Sequence, residues 1–431
     1  MYTHEDLAKL QAQSLKMQGF IRQQTYSPEM EKTLRRFSSW EVAELILKIN
    51  PSTFRGRLAA DPSLPEGLVE EDGRQRWYTL EEINELRRKV KIKGMSLMPP
   101  RQAGKRAIRA AIANFKGGAG KSTVALHFAH AAALNGYRVL AVDFDPQATL
   151  SHSMGLSDVS EEVTVWGIMA RDLIRETERM NAAAAGAESG TALPQRKLPA
   201  AVTGMGLNEL RVTDFIKSTS WPTIDIIPSC ANAAFVEFAS AQYRHLNPEW
   251  SFFAAVSRYL DQIPPDAYDL IIFDCPPAIG YQSMNAVFAA DVLYVPSGPG
   301  YWEYDSTTSF IGQLSEALED LGRFRGRLPS GTNPEKVFAA IRFLLTRFEP
   351  NNDLHRAMQK AFEQVFKSHV TANPIEMTRA VEQSGRFLSS IYEMDYRQMT
   401  RETWRRARMS FDRAYDEFQA TLVDAWDKLE D

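Results

Sequence analysis

The sequence predicts an α/β protein built on a doubly wound, mainly parallel sheet. From residue 107 onward, apolar runs typical of strands alternate with helical patterns. The runs are largely continuous rather than alternating, as in strands that helices cover on both faces. One run leads into a glycine-rich turn and then a helix, an arrangement found in open α/β sheets. The predicted strands are 108–114, 139–143, 224–228, 270–274, 292–295 and 337–345.

The glycine-rich turn, residues 114–123, reads NFKGGAGKST. Glycines let backbone N–H groups surround an anion without a Cβ in the way, and the helix N-terminus adds partial positive charge. We therefore predict a nucleotide phosphate site in which Lys121 reaches the β/γ-phosphates and the Ser122 hydroxyl ligates Mg²⁺. The alternative is a turn with merely solvated lysines. It does not explain why the turn lies between a buried-type strand and an amphipathic helix.

The head of this loop departs from the ordinary pattern G-x-x-x-x-G-K-[ST]. That pattern needs glycine at position 115, where this chain has Phe115, and a second lysine, Lys116, follows. Two lysines five residues apart around three glycines form a much rarer string than a lone glycine motif.

Two strand ends supply the carboxylates of a nucleotide hydrolase. Asp143 and Asp145 end or follow the strand 139–143, where a carboxylate can hold a metal-bound water or orient the attacking one. The strand 270–274 ends in Asp274, the arrangement in which a carboxylate contacts Mg²⁺, commonly through a water. A strand-terminal aspartate is also common as a helix cap, so the prediction depends on all three motifs occurring together.

Length and composition indicate a multidomain globular protein. The 431 residues suggest two or three domains, and 44% hydrophobic with 24% charged residues is typical of soluble proteins. A net charge of −4 does not forbid nucleic-acid binding, because a local basic face matters more. The two distant cysteines, Cys230 and Cys275, exclude a disulfide framework and a CxxC cluster. We expect a cytoplasmic protein without a transmembrane helix or signal peptide.

The region before the sheet is predicted to contain two units. Residues 1–28 hold a helix over 4–24, which is marginal by itself and is expected to pack on a partner subunit as a dimerisation segment. Residues 29–92 hold short helices at 40–48 and 52–59 joined by a tight turn, then a charged turn and a helix over 80–89. Thr79 caps that third helix, with Glu82 at the capping-box position. Two short helices joined in this way fit a helix-turn-helix.

The order of elements in 29–92 resembles a winged helix-turn-helix of the MerR-like kind, on the stretches 37–43, 52–55 and 76–83. The resemblance implies that a recognition helix in the major groove carries Ser52, Thr53, Arg55 and Arg57. Arg74 and Arg76 would lie on the wing, near phosphates or the minor groove. The alternative is a small helical dimerisation domain with solvated arginines.

Three further segments complete the domain prediction. Residues 93–106 form a basic linker, either attracting phosphates non-specifically or serving as a solvated hinge. Within the sheet domain, 107–431, residues 172–222 include an alanine- and glycine-rich stretch and are predicted to be a flexible surface insertion. Residues 401–429 have aromatic and apolar residues at helical spacing, which predicts a helix packed on the sheet domain.

Residues 116–123, 143–147 and 274–277 resemble the deviant Walker A ATPases of the ParA/MinD type. The stretches 34–39 and 78–88 make the chain similar to the long ParA proteins, most closely the RepA partition ATPases of repABC-type plasmids. The likeness covers nearly the whole chain apart from 172–222. It implies a P-loop NTPase domain and a weak, Mg²⁺-dependent ATPase that converts ATP to ADP and phosphate.

The family also implies a homodimer that sandwiches two ATP molecules. Lys116 would reach the partner's phosphates, and Lys121 those bound in its own subunit. Ser122 would ligate Mg²⁺ with Asp274 behind it, while Asp145 would position the water and Asp143 would lie near the metal. The other implied nucleotide-binding residues are Gly117, Gly118, Ala119, Gly120, Thr123, Thr346 and Arg347.

The implied partners are DNA and a ParB-like centromere-binding protein that stimulates hydrolysis. Lys367, Arg379 and Arg386 would belong to a non-specific DNA face of the ATP dimer, or else to solvated surface. The N-terminal domain would bind an operator and repress the protein's own operon, in a nucleoid-associated bacterial protein. The chain departs from the family at Phe115, where family members often have glutamine. It also departs at the stretch 295–300, which is richer in glycine than the family's usual Pro-x-x-Pro segment.

Other functional classes fit less well. A nucleotide-sensing transcription regulator without a partition role is the main alternative. A MinD-like membrane protein is disfavoured because the C-terminal helix ends in acidic residues rather than a basic face. An electron carrier like the nitrogenase iron protein is disfavoured because the paired cluster cysteines are missing.

Overall fold

The N-terminal part of the chain combines helices with a small sheet. In the computed structural model it comprises α1 (His4–Thr25), β1 (Phe37–Ser38), a π-helical turn (Glu41–Ile46), α2 (Pro51–Ala60), β2 (Leu68–Val69), β3 (Arg76–Tyr78) and α3 (Leu80–Lys89). A hairpin of β4 (Lys91–Ile92) and β5 (Met95–Ser96) follows. The residues that the structure describes are 3–25, 32–69, 75–101, 104–185, 198, 202, 206–207, 209–322, 335–386 and 388–429.

A seven-stranded sheet organises the chain after this hairpin. Its strands are β6 (Ile108–Ile112), β7 (Val139–Asp143), β8 (Lys217–Ser218), β9 (Ile224–Ile227), β10 (Leu270–Asp274), β11 (Val292–Ser297) and β12 (Ala340–Leu345). Their order is β12-β11-β6-β10-β7-β9-β8, and every neighbouring pair is parallel except β8 with β9. The predicted mainly parallel, doubly wound sheet is confirmed. The short antiparallel strand β8 was not predicted.

Helices cover both faces of this sheet, so each face has its own hydrophobic core. Ala110 and Ile112 of β6 face one core, and Ala111 between them faces the other. Apolar residues within 124–134 and 404–426 line the first core, and apolar residues within 165–174 and 310–321 line the second. The helices are α4 (Lys121–Leu134), α5 (Thr149–Ser153), α6 (Val165–Ala185), α7 (Phe235–Leu246), α8 (Ala255–Leu260), α9 (Tyr281–Ala289), α10 (Tyr301–Gly322), α11 (Asp353–Phe366), α12 (Arg379–Arg386) and α13 (Arg401–Trp426).

The helix caps of the N-terminal unit, residues 32–92, follow the local sequence. Asn50 begins α2 by accepting a hydrogen bond from the Ser52 amide at 2.9 Å. Thr79 and Glu82 form the predicted capping box at the start of α3. The predicted helix over 40–48 is wrong in type, because its main part is a π-helical turn. The Leu47 amide there bonds to the Val42 carbonyl, five residues back, at 2.8 Å.

The N-terminal unit shares the first core with the sheet domain. The Trp40 ring lies 6.4 Å from that of Trp404 on α13 and 6.1 Å from that of Tyr396. The buried Arg87 of α3 donates hydrogen bonds to the Leu134 carbonyl, at the end of α4, and to the Leu97 carbonyl. The N-terminal unit is therefore packed on the sheet domain.

Several described residues of 172–222, the segment predicted to be a flexible surface insertion, are buried in the core. Helix α6 runs through Ala185, with Leu173 and Ile174 buried. Phe215 and Trp221 are also buried, because they pack against the sheet domain's two cores. The predicted C-terminal helix is confirmed as α13, which buries Trp404, Phe411 and Phe418, among others. Within the described residues, no helix has the length and apolarity needed to cross a bilayer.

Candidate nucleotide site

The loop between β6 and α4 is an open turn that depends on its glycines. Gly118 and Gly120 have φ of +76° and +85°, the left-handed region that side chains with a Cβ rarely adopt. Gly117 and Gly118 are exposed, and a Cβ on either would meet nothing within 4 Å. Helix α4 begins at Lys121, so Ser122 and Thr123 lie in its first turn. The loop thus presents backbone N–H groups and a helix N-terminus to open space, as anion sites do.

The two lysines of the loop lie in different environments. Lys121 is buried, and its Nζ donates to the Lys116 carbonyl at 3.2 Å. Burial lowers the pKa of Lys121, while the nearby carboxylates of Asp274 and Asp145 oppose that change. Lys116 is half-buried, and its ammonium forms no ion pair with any residue that the structure describes. Lys121 therefore points into its own site, and Lys116 is available to a group outside it.

Asp274 is a fully buried carboxylate at the end of β10. Strand pairing sets it beside Asp143 of β7 at the carboxyl edge of the sheet. Among the described residues, neither of its oxygens has a hydrogen-bond donor. Burial and the neighbouring Asp143 raise its pKa well above the usual range, although the Ser122 hydroxyl and Lys121 partly offset this. An orphaned buried carboxylate beside a serine hydroxyl is an oxygen donor set that fits Mg²⁺.

Asp143 orders the loop that follows it. Its Oδ1 accepts from the Asp145 amide at 3.0 Å, and its Oδ2 accepts from the amide and hydroxyl of Ser151 at 2.9 and 2.7 Å. The Ser229 amide in turn donates to the Ser151 hydroxyl at 2.9 Å. Burial raises the pKa of Asp143 to about 7. The structure thus gives Asp143 a loop-ordering role, and its predicted place near the metal stays a prediction.

Asp145 has one carboxylate oxygen without a hydrogen bond to the residues that the structure describes. Its Oδ1 accepts from the Gln147 amide at 2.9 Å, which shapes the turn after β7. The side chain is half-buried and lies close enough to Lys121 and Asp274 to affect the pKa of both. The fold therefore brings the predicted water-positioning carboxylate to the phosphate loop.

Thr346 holds the phosphate loop through a hydrogen bond from its side chain. Its buried hydroxyl donates to the Ala119 carbonyl at 2.9 Å, linking the end of β12 to the loop. Arg347 has a φ of +53° and places Nη2 3.4 Å from a carboxylate oxygen of Glu303, in the first turn of α10. Both predicted residues thus lie at this edge of the site, with Arg347 the more exposed.

Two residues of the site were missed by sequence reasoning. The buried Asn114 donates from Nδ2 to the Pro296 carbonyl at 2.8 Å and to the Thr307 hydroxyl at 3.1 Å. Its Oδ1 accepts from the Lys116 amide at 3.4 Å, so Asn114 fixes the head of the loop. Glu303 was also missed. Asn114 could have been found from the sequence, because it is a polar residue that directly follows the apolar run of β6.

The predicted DNA-contact residues divide between two parts of the molecule. Helix α2 exposes its predicted contact residues, and Phe54 is its only fully buried side chain among those described. Arg76 donates to the Glu66 carbonyl at 2.8 Å, and Arg74 lies outside the described residues. Lys367 and Arg379 are exposed near the ends of α11 and α12, and the Arg386 side chain is not among those described. The exposed residues of α2 are Ser52, Thr53, Arg55 and Arg57.

Comparison with known proteins agrees with this geometry. Residues 107–321 match the family model described as an AAA domain. The chain is 29% identical over 418 residues to a Sinorhizobium fredii protein named "Putative replication protein A", covering 94% of this chain and 90% of the relative. It is 28% identical over 391 residues to "Protein SopA" of Escherichia coli, covering 88% and 87%.

A solved structure described as "Partition Protein" shares the fold at 16% sequence identity, with a TM-score of 0.60. The match covers 96% of this chain and 99% of the solved chain. The fold and the loop define a P-loop ATPase. Within that class, the family match and the named relatives place the chain among the ParA-type ATPases.

Proposed function

We propose that the protein is a DNA partition ATPase that binds ATP and Mg²⁺ at the loop 114–123 and hydrolyses ATP as a homodimer. The observation that carries this proposal is the pairing of a two-lysine phosphate loop with the orphaned carboxylate of Asp274. The names of its relatives support the partition role, since they include SopA and the Caulobacter chromosome partitioning protein ParA.

Each residue has a distinct part in this proposal. Lys121 binds the β/γ-phosphates in its own subunit, and Lys116 neutralises charge at the partner's phosphates. Asp145 orients the attacking water with its available oxygen, while Asp143 and Asn114 hold the two loops in place. Mg²⁺, held by Ser122 and Asp274, would supply neutralisation of the phosphate charge. Positioning and electrostatics are nearly all that phosphoryl transfer requires of a protein.

The N-terminal unit is proposed to be a winged helix-turn-helix that binds the protein's own operator. Its α2 is exposed along most of its length, and β1, β3 and β2 form a small sheet beside it. A helix with one buried anchor and two exposed arginines is suited to lie in a DNA groove. Lys367, Arg379 and Arg386 are proposed to contact DNA non-specifically in the ATP dimer.

The dimer, the ParB-like partner and the bacterial nucleoid location complete the proposal. Exposed apolar residues on α1, including Leu7, Leu10 and Met17, support its role in joining two subunits. The alternative is a nucleotide-sensing transcription regulator without a partition role. The two proposed functions differ in the effect of losing ATP hydrolysis, because only a partition ATPase needs hydrolysis to move DNA.

Lys121→Ala and Lys116→Ala variants test the two-subunit site. Lys121→Ala is expected to lose ATP binding. Lys116→Ala should bind ATP but hydrolyse it about 10³-fold more slowly, as when an arginine finger is removed. Because Lys116 acts across the dimer, mixing the two variants should restore hydrolysis above that of either alone. Phosphate release measures the rate, and an inactive mixture would contradict a role in the partner's site.

The same variants distinguish the two functions in cells. A partition ATPase should lose a test plasmid when either lysine is replaced, scored as plasmid-free cells per generation. If both variants keep the plasmid normally while repression of the operon changes, the regulator reading is correct.

Arg57→Ala tests the recognition helix. The variant should bind a DNA fragment from upstream of its own operon more weakly, and the slope of log K against log salt should fall by about one. The exposed Arg356 of α11, paired with Asp353, is the matched control. Its replacement by alanine should leave operator binding unchanged, and equal losses in both variants would contradict the assignment.

A further inference from the structure

A cavity of about 370 Å³ lies outside the nucleotide site, between the sheet and α10. Leu293 and Val295 of β11 line it from the sheet, and Phe310 and Leu314 line it from α10. Phe343 of β12 also lines it. Its volume is in the range of small-molecule sites, which are mostly apolar with a few placed polar groups.

One half-buried cation, Lys336, contributes to the wall of this cavity. Lys336 donates from Nζ to the Phe288 carbonyl at 2.8 Å and to the Ala290 carbonyl. An ammonium has three N–H donors, so these two bonds leave one without a hydrogen bond to the described residues, and the Phe338 ring lies 5.0 Å from Nζ. The nearby Asp291 is held in a two-bond ion pair by Arg106, and Lys336 has no ion pair with any residue among those described. Burial lowers the pKa of Lys336 to about 8, and the nearby Asp291 only partly opposes this change.

The cavity and this cation together define the chemistry of an occupant. The apolar walls favour a hydrocarbon body, since burying each CH₂ group is favourable. The unneutralised ammonium favours an anionic head, because a charge-assisted hydrogen bond to it would replace a missing partner. A ligand with both features is an amphiphilic carboxylate.

We propose that this cavity binds a medium-chain carboxylic acid, with its carboxylate on Lys336 and its chain between β11 and α10. The site is separate from the phosphate loop but adjoins it. Phe310 lines the cavity, and its ring lies 5.0 Å from that of Phe115, the residue that precedes Lys116. This contact also explains the apolar residue at position 115, which packs against the wall of the cavity.

Octanoate and octanol are the probes, titrated calorimetrically into the full chain below their aggregation limits. Octanoate should bind saturably at one site and about tenfold or more tightly than octanol, because octanol lacks the charge that Lys336 recognises. Octanol binding as tightly as octanoate, or no saturable octanoate binding, would overturn the proposal. This comparison needs no variant and no ATPase activity, so its failure is distinct from failure of the proposed function.

Three variants locate the site. Lys336→Met should weaken octanoate about tenfold and leave octanol unchanged, since methionine keeps the length without the charge. Leu314→Trp should abolish binding of both probes by filling the cavity. Lys360→Met, which removes an exposed lysine of α11, is the control and should change neither. Octanoate binding that survives Leu314→Trp in a protein with unchanged ATP affinity would overturn the proposed location.

Discussion

Replacing Asp274 by Asn is expected to abolish ATP hydrolysis and, at neutral pH, to stabilise the nucleotide-free protein. Hydrolysis should fall on the order of 100-fold or more, because the variant loses the carboxylate behind the metal site, and metal charge stabilisation contributes several kcal/mol. Stability should rise because Asp274 is fully buried and neither carboxylate oxygen has a donor among the described residues. An amide removes that unpaired charge at almost the same volume.

The size of this stability change depends on pH. Burial raises the pKa of Asp143 from 3.8 to about 7 and that of Asp274 well above 3.8. A carboxyl whose pKa is higher in the folded chain binds more protons when folded, so the free energy of unfolding falls as pH rises above about 4. The advantage of Asp274→Asn over the wild type should therefore grow from pH 5.5 to pH 7.5, to roughly 1–3 kcal/mol.

Urea unfolding without nucleotide at those two pH values measures this effect, and phosphate release measures hydrolysis. Asp269→Asn is a matched control adjoining the same strand, because Asp269 is buried but paired with Arg138 and Arg101. It should destabilise the protein, since it breaks satisfied ion pairs. A less stable Asp274→Asn variant at pH 7.5 would show that Asp274 already has a partner in the nucleotide-free protein.

The sheet and the phosphate loop were predictable because their signals are local. Strands such as β7 and β10 are continuous apolar runs that end in aspartate, and parallel strands bring those ends to one edge. The glycines at 118 and 120 are required by the backbone angles of the turn itself. The Thr79 capping box lies within four residues and could be predicted from them alone.

The roles of individual side chains were less predictable because they depend on distant partners. Asp143 has the spacing of a metal carboxylate, but Ser151 and Asp145 use both of its oxygens. Thr346 was predicted as a nucleotide-binding residue and this stays a prediction, but its hydrogen bond to the loop backbone at Ala119 could not be read from the sequence. The packing of the N-terminal unit on α13 has no local signal, since its contacts join the two ends of the chain.

Replacing Glu41 by Ala is expected to destabilise the protein by about 3–5 kcal/mol, the cost of breaking a buried ion pair. Glu41 is fully buried and accepts two bonds from Arg35, at 2.7 and 3.2 Å. The Ser38 amide and hydroxyl both donate to it at 3.0 Å, and Arg408 of α13 lies 3.5 Å away. The variant removes one of the two carboxylates that lie 3.5 Å from Arg408, a residue that is 1% exposed, and leaves Asp412 as the other.

The pH dependence of this cluster is opposite to that of Asp274. Burial acts to raise the pKa of Glu41, but Arg35, Arg408 and the Ser38 amide hold it below its usual value of 4.5. A carboxyl with a lowered pKa adds stability above its unfolded value and loses it as pH falls below about 4.5. The difference between the wild type and Glu41→Ala should therefore be constant from pH 6 to pH 8 and shrink under acid conditions.

Lys48→Ala is the control, because it removes an exposed ion pair between the N-terminal unit and α13, whereas Glu41→Ala removes a buried one. Lys48 pairs with Asp416 of α13 at 2.7 Å, but both side chains are half exposed. Its loss should change stability by less than about 1 kcal/mol. Urea unfolding followed by tryptophan fluorescence, to which Trp40 and Trp404 at this contact contribute among the eight tryptophans, measures both variants. Equal losses of stability in Glu41→Ala and Lys48→Ala would contradict this prediction. They would mean that Glu41 is solvated and that its ion pairs do not hold the N-terminal unit on α13.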